Sequence, residues 1–106
     1  TTNGGITFIE PIGNVTPSEF KLMQNYPNPF NPTTKIRFDI SGTSVAQIFL
    51  SVYDILGREV ATLVNEELKP GTYNVSWDAT GKPSGIYFCK MTGSGFTDTK
   101  KIMLVK

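Results

Sequence analysis

Short runs of apolar residues, most alternating with polar ones, follow one another along most of the chain. The clearest run is TKIRFDI (residues 34–40), in which Ile36, Phe38 and Ile40 share one face while charged residues occupy the other. None of the runs sustains the 3.6-residue period of an amphipathic helix. The pattern therefore predicts a chain built from β-strands.

Seven such runs predict seven strands, separated by turn residues. They are FKLMQN (20–25), TKIRFDI (34–40), AQIFLSVYD (46–54), a run from Arg58 to about Val64, TYNVSWD (72–78), IYFCKMT (86–92) and FTDTKKIMLVK (96–106). In the third run, Ile48, Leu50 and Val52 are expected to face inward. Short strands at regular spacing favour an all-β fold, an immunoglobulin-like antiparallel β-sandwich of about seven strands.

Specific residues refine this prediction. Gly57 can adopt the positive φ of a hairpin turn between the third and fourth runs. Trp77 lies on the apolar side of its run, and we expect it in the core together with Tyr87. The other residues expected in the core are Ile36, Phe38, Leu50 and Val52.

The segment YPNPFNP (residues 26–32) is rich in proline. Its prolines are Pro27, Pro29 and Pro32. They exclude a helix and a central strand, which leaves an extended loop or a sheet edge. Asn28 and Asn31 can accept hydrogen bonds from nearby backbone in Asx-turns. Phe30 would gain roughly 1.5–3 kcal/mol by leaving water, so we expect it to plug one end of a core.

The first residues have a different texture. Residues 1–19 hold one short apolar patch, ITFI, among glycine, asparagine, threonine and proline. This composition suits a linker or the end of a preceding domain, and it places the boundary near Pro17. Residues 20–106 are then one domain, and an opening TTNGG without Met suggests a fragment of a longer protein.

Composition argues against several classes of function. The 106 residues carry a net charge of +1, which provides no sequence-wide basic field for nucleic acid. There is no histidine, and Cys89 is the one cysteine, which in a strand-like run is expected to be a small buried hydrophobe. The acidic residues are scattered over strand ends and turns. We therefore expect no catalytic residues, no cofactor and no metal site, and the absence of a long apolar run predicts no transmembrane helix.

Two aromatic residues leave an alternative open. Phe49 and Tyr53 lie on one face of a predicted strand, and an aromatic pair on a sandwich surface is one way in which binding modules stack on sugar rings. The same rings could instead cover a loop or pack under the linker. A single tryptophan, expected inward, favours this second interpretation over a carbohydrate-binding module.

Several motifs, taken in order, resemble a known family. They are NYPNPFNPTTKIRF (25–38), VYDILGREVATLV (52–64), PGTYNVSWD (70–78), PSGIYFCKM (83–91) and KKIMLVK (100–106). Together they resemble the type A C-terminal sorting domain of type IX secretion cargo, over about four-fifths of the chain. The resemblance implies an immunoglobulin-type sandwich that is read as an address by an outer-membrane secretion machine with its shuttle. A sortase of that machine usually removes the domain, in some cases linking the cargo to surface lipopolysaccharide.

The resemblance also implies roles for particular residues. The family's Gly-x-Tyr signal falls on Gly85 and Tyr87, and its first turn signal falls on Pro70, Gly71 and Tyr73. The terminal lysine-flanked strand adds recognition candidates, which are Lys100, Lys101, Ile102, Leu104 and Lys106. A protein with this domain is expected to be bacterial, to pass through the periplasm and outer membrane, and to be secreted or held at the cell surface. Its cargo domain is expected upstream in the same polypeptide.

A second family shares some of these motifs. The VYD-LGREV and Gly-Tyr segments also resemble the immunoglobulin-like domain of the flagellar hook-capping protein, which would make this domain a structural module. The two interpretations differ in where the domain lies in its polypeptide. A sorting domain is expected at the C-terminal end, as the terminal KIMLVK suggests.

Overall fold

A computed structural model describes residues 9–13 and 16–106 of the chain, and strands are the regular elements in it. Eight strands occur in the described residues: β1 (Ile9–Ile12), β2 (Lys21–Leu22), β3 (Thr33–Ile40), β4 (Ala46–Tyr53), β5 (Glu59–Leu68), β6 (Gly71–Asp78), β7 (Gly85–Gly93) and β8 (Phe96–Leu104). Among these residues there is no helix long and apolar enough to cross a membrane.

The strands form two antiparallel sheets of four strands each. Sheet A has the order β1-β6-β3-β2, and sheet B has the order β5-β4-β7-β8. The two sheets bury one apolar core between them, which confirms the predicted all-β sandwich. The prediction gave about seven strands where the structure describes eight, and the immunoglobulin-like type stays a prediction.

The additional strand lies within residues 1–19. Ile9–Ile12 pairs with β6, with Ile9 opposite Val75 and Ile12 opposite Thr72, so sheet A begins before residue 20. Residues 1–8, 14 and 15 lie outside the described part, and with them most of the ITFI patch. Where the domain itself begins stays a prediction.

Two other strands differ from their predicted bounds. β2 is only Lys21–Leu22, although Met23 and Tyr26 still bond to the backbone of β3 before the prolines end the pairing. β5 was expected to end near Val64 but continues through the polar sequence NEEL to Leu68. β5 is an edge strand with much of its surface in solvent, so its polar residues can pair with β4 without an apolar alternation.

The six residues expected in the core are all buried, and aromatic contacts organise it. Trp77 packs edge-on against Tyr87 with ring centroids 5.5 Å apart, and Phe30 packs on Trp77 at 5.7 Å. Phe30 is 2% exposed, which confirms that it plugs the core. Cys89 is also buried, and burial raises the pKa of its thiol to about 12, so it is the small hydrophobe that the sequence predicted.

Candidate recognition surface

The predicted Gly-x-Tyr signal forms the entry into β7. Gly85 has φ +148°, a conformation that residues with a side chain rarely adopt. Tyr87 is 5% exposed, and its hydroxyl donates a hydrogen bond of 2.6 Å to the carbonyl of Pro83. Burial, and secondarily the charge of Asp54, raise the pKa of Tyr87, so the ring stays neutral. Tyr87 is therefore a buried tether that fixes the loop before β7.

The first turn signal has the same geometry at the entry into β6. The hydroxyl of Tyr73 donates to the carbonyl of Lys69 at 2.7 Å, again four residues upstream. The Tyr73 ring stacks on Phe38 with centroids 5.6 Å apart. Such tyrosine corners hold strand entries in antiparallel sandwiches. The two sequence signals are thus the same structural device used twice.

The last strand divides its predicted recognition residues between two faces. Ile102 and Leu104 point into the core and are each 1% exposed. Lys101 and Lys106 are exposed. Lys100 is half-buried on the inward-facing side of β8, with its Nζ 3.6 Å from Asp98 Oδ2. Lys100 thus differs from Lys101 and Lys106, because alternation places it on the same side as Ile102.

β8 is an edge strand, but its outer edge is covered. Residues 23–32, which connect β2 to β3 and are here called the strap, run beside it. The N–H of Met103 donates to Asn28 Oδ1 at 3.0 Å, and its carbonyl accepts from the N–H of Phe30 at 2.9 Å. The Val105 N–H donates to the Phe30 carbonyl at 2.9 Å, and the Lys101 carbonyl accepts from Gln24 Nε2 at 2.7 Å. Asn28 was expected to bond nearby backbone, but its oxygen instead reaches a residue 75 positions away.

A buried polar triangle holds the strap in place. Asn25 is 3% exposed, and its Nδ2 donates to the Pro27 carbonyl at 3.1 Å and to Thr34 Oγ1 at 2.9 Å. The Thr34 hydroxyl in turn donates to the same carbonyl at 2.9 Å. The three groups satisfy one another, so the strap is fastened to β3 as well as to β8.

A groove of about 790 Å³ opens at one end of sheet B. Its walls are the β4–β5 turn with the start of β5 (within residues 54–60) and the β6–β7 loop with the start of β7 (residues 81–87). Ile55 and Leu56 stand at its mouth, 70% and 72% exposed. Gly57 has φ +84°, which confirms the predicted turn glycine.

Asp54 holds the backbone of this turn. Its Oδ1 accepts the N–H groups of Leu56 and Arg58 at 2.9 and 3.0 Å, and its Oδ2 pairs with Arg58 Nε at 3.0 Å. These bonds, with the Arg58 N–H contributing most, lower the pKa of Asp54. The turn is therefore shaped by a carboxylate while its apolar side chains remain in solvent.

The outer face of sheet B, the face turned away from the core, carries the remaining candidates. Phe49 and Tyr53 lie there, half-buried, and Tyr53 lies opposite Phe88 of β7. Because both rings are half-buried, they do not form a fully exposed platform. Within the described residues, no cluster of histidine, cysteine, aspartate or glutamate has the spacing of a metal site.

Comparison with known families decides between the two resemblances. Residues 24–106 match the family model described as the secretion system C-terminal sorting domain. The chain belongs to this family. The match spans the strap from Gln24 onward, both tyrosine corners and the whole of β8. A search of curated proteins found no match.

Family membership establishes the general role of the domain. It is a type IX secretion sorting signal, and the protein that carries it is secreted or held at the cell surface. Sorting domains of this family are in general not catalytic. Sequence reasoning placed the two tyrosines, the turn glycine and the core correctly, but it missed the groove and the buried Asn25–Thr34 pair. The sole sequence signal for the pair was an asparagine and a threonine flanking the proline segment.

Proposed function

We propose that this domain is a non-catalytic address that directs a cargo protein in the same polypeptide through the type IX secretion system and across the outer membrane. Its partners are the outer-membrane shuttle and the sortase of that system, and the sortase removes the domain or exchanges it for a surface anchor. The observation that carries this proposal is the family match over residues 24–106.

The arrangement of the recognition candidates supports a passive address. Gly85 and Tyr87 fix the groove wall, Ile102 and Leu104 complete the core, and Lys101 and Lys106 remain in solvent. The first two pairs give the domain a fixed shape, whereas the lysines offer charge to a partner. A folded surface, rather than an unfolded tail, is what the machine would read.

Export of a reporter tests the proposal. The full chain is fused after a periplasmic reporter with a signal peptide, in a bacterium with a type IX system. We expect the reporter in the medium or on the cell surface, and in the periplasm of a strain without the translocon. Equal export by both strains, or none by either, would refute the function. Mass spectrometry of the exported reporter should show that the sandwich has been removed.

Two lysines give a finer readout. Lys101→Gln with Lys106→Gln should change the free energy of unfolding by no more than about 0.5 kcal/mol, since both side chains are exposed, yet should reduce export. The matched control is Lys35→Gln with Lys69→Gln, which changes exposed lysines elsewhere on the sandwich. Equal export by both double variants would mean that the terminal lysines are not part of the address.

A further inference from the structure

The covered edge of β8 restricts how a partner can contact the last strand. Strand addition needs free N–H and C=O groups along an edge. The N–H and C=O of Met103 and the N–H of Val105 are already bonded to the strap, and the N–H of Thr99 bonds to the carboxylate of Asp98 at 2.8 Å. An added strand would have to displace Phe30, whose side chain is buried against Trp77.

The same strand offers a different surface through its outward side chains. Met103 and Val105 are large apolar residues that are 38% and 44% exposed. Met103 lies directly opposite Ile86 of β7, at the distance over which cross-strand side chains touch. Ile86 also lines the groove, together with Ile55 and Leu56. An apolar surface therefore runs from the β4–β5 turn across Ile86 to the last strand.

Positive charge borders this surface. Lys101 lies opposite Phe88, and Lys90 lies opposite Thr99 on the same outer face. In the described part of the chain neither lysine has a carboxylate within ion-pair distance, whereas Asp54 is paired with Arg58 and Asp98 with Lys100. Glu59, which lies opposite Tyr53 on this face, bonds to the hydroxyls of Ser51 and Thr62. A complementary partner is thus apolar at its centre and acidic at its rim.

We propose that a protein of the secretion machinery binds this outer face of sheet B beside the last strand. The partner contributes an apolar surface that is bordered by carboxylates, and the strap keeps the edge of β8 closed while the partner is bound. This inference rests on the proposed function. The residues of the docking surface are Ile55, Leu56, Ile86, Phe88, Lys101 and Met103.

Paired substitutions on the same two strands test the face. Ile86→Gln with Met103→Gln should lower export of the reporter fusion by about tenfold, as loss of a central apolar contact in an interface does. The matched control is Thr92→Gln with Thr97→Gln, an exposed cross-strand pair at the far end of the same ladder, which should export normally. Equal export by both pairs would overturn the inference.

Lys101→Glu provides a second test, in case the apolar pair fails to fold. It should leave the melting temperature unchanged and reduce export, and binding of the purified domain to outer-membrane vesicles from the secreting strain should fall as salt is raised. Normal export and vesicle binding by Lys101→Glu would overturn the proposed charge complementarity.

Asn28→Ala distinguishes binding at the outer face of sheet B from binding at the edge of β8. It frees the Met103 N–H that the strap now occupies, so edge recognition would raise vesicle binding, whereas face recognition leaves it unchanged. Increased binding would overturn the inference.

If Ile86→Gln with Met103→Gln instead abolishes self-association or glycan binding of the purified domain without affecting export, the face serves a second copy or a sugar and the inference fails. If the unaltered fusion is not exported, the proposed function itself fails.

Discussion

The strap and the β4–β5 turn are both polar, turn-rich connections, but they are held by opposite means. The strap buries Phe30 and Asn25 and bonds to strands of both sheets. The turn leaves Ile55 and Leu56 in water and is shaped by one carboxylate. The strap, which buries Phe30 in the core, therefore has a structural role. The turn leaves Ile55 and Leu56 exposed, and exposed apolar residues of this kind can contact a partner.

The largest effect is expected at the residue on which the strap rests. Trp77→Ala should lower the free energy of unfolding by roughly 3–5 kcal/mol, because Trp77 contacts both Phe30 and Tyr87 in the core. Urea unfolding followed by circular dichroism measures this change. A loss below about 1 kcal/mol would show that the core does not depend on this contact.

Phe30→Ala should act on the strap itself. We expect a loss of about 3 kcal/mol together with faster proteolysis within residues 26–33, since the strap loses its one buried aromatic anchor. The control is Tyr26→Ala, on the same strap but 81% exposed, which should change stability by no more than about 0.5 kcal/mol. Similar proteolysis of both variants would mean that the prolines and backbone bonds hold the strap.

The sequence predicted regular strands better than it predicted these connections. Alternation places Ile36 and Phe38 inward because the side-chain period of a strand fixes its faces once one face is buried. It carries no information on which edges meet, so the bond between Asn28 and Met103 could not be foreseen. Asn25 was hidden for a related reason, since a buried asparagine depends on partners that tertiary structure brings close.

A smaller effect should follow from Asn25→Ala. Removing the amide leaves the Pro27 carbonyl and the Thr34 hydroxyl with one partner fewer, and should cost about 1–3 kcal/mol. Asn31→Ala is the matched control, because Asn31 is an exposed asparagine of the same strap. If thermal unfolding shows equal losses for the two variants, the polar triangle does not fasten the strap.

The turn should respond to pH where the strap does not. The pKa of Asp54 is lowered in the folded state, so its carboxylate stabilises the fold above the usual value of 3.8, and this contribution is lost as pH falls through the folded pKa. Asp54→Asn should therefore lower the melting temperature by a few degrees at pH 7 and have less effect in strong acid. A variant whose deficit is independent of pH would show that the charge of Asp54 does not hold the turn.

The smallest effect on stability is expected at the mouth of the groove. Ile55→Ser with Leu56→Ser should change the free energy of unfolding by no more than about 0.5 kcal/mol, because both side chains already lie mostly in water and the turn is shaped by Asp54. Phe30→Ser, an apolar-to-serine change on the strap, should cost at least the roughly 3 kcal/mol expected of Phe30→Ala. If the turn variant also loses several kcal/mol, Ile55 and Leu56 contribute to the core and cannot be reserved for a partner. If the turn variant keeps full stability while its binding to vesicles falls, Ile55 and Leu56 serve binding and not folding. Phe30 of the strap would then serve folding, and the two connections would differ in role as proposed.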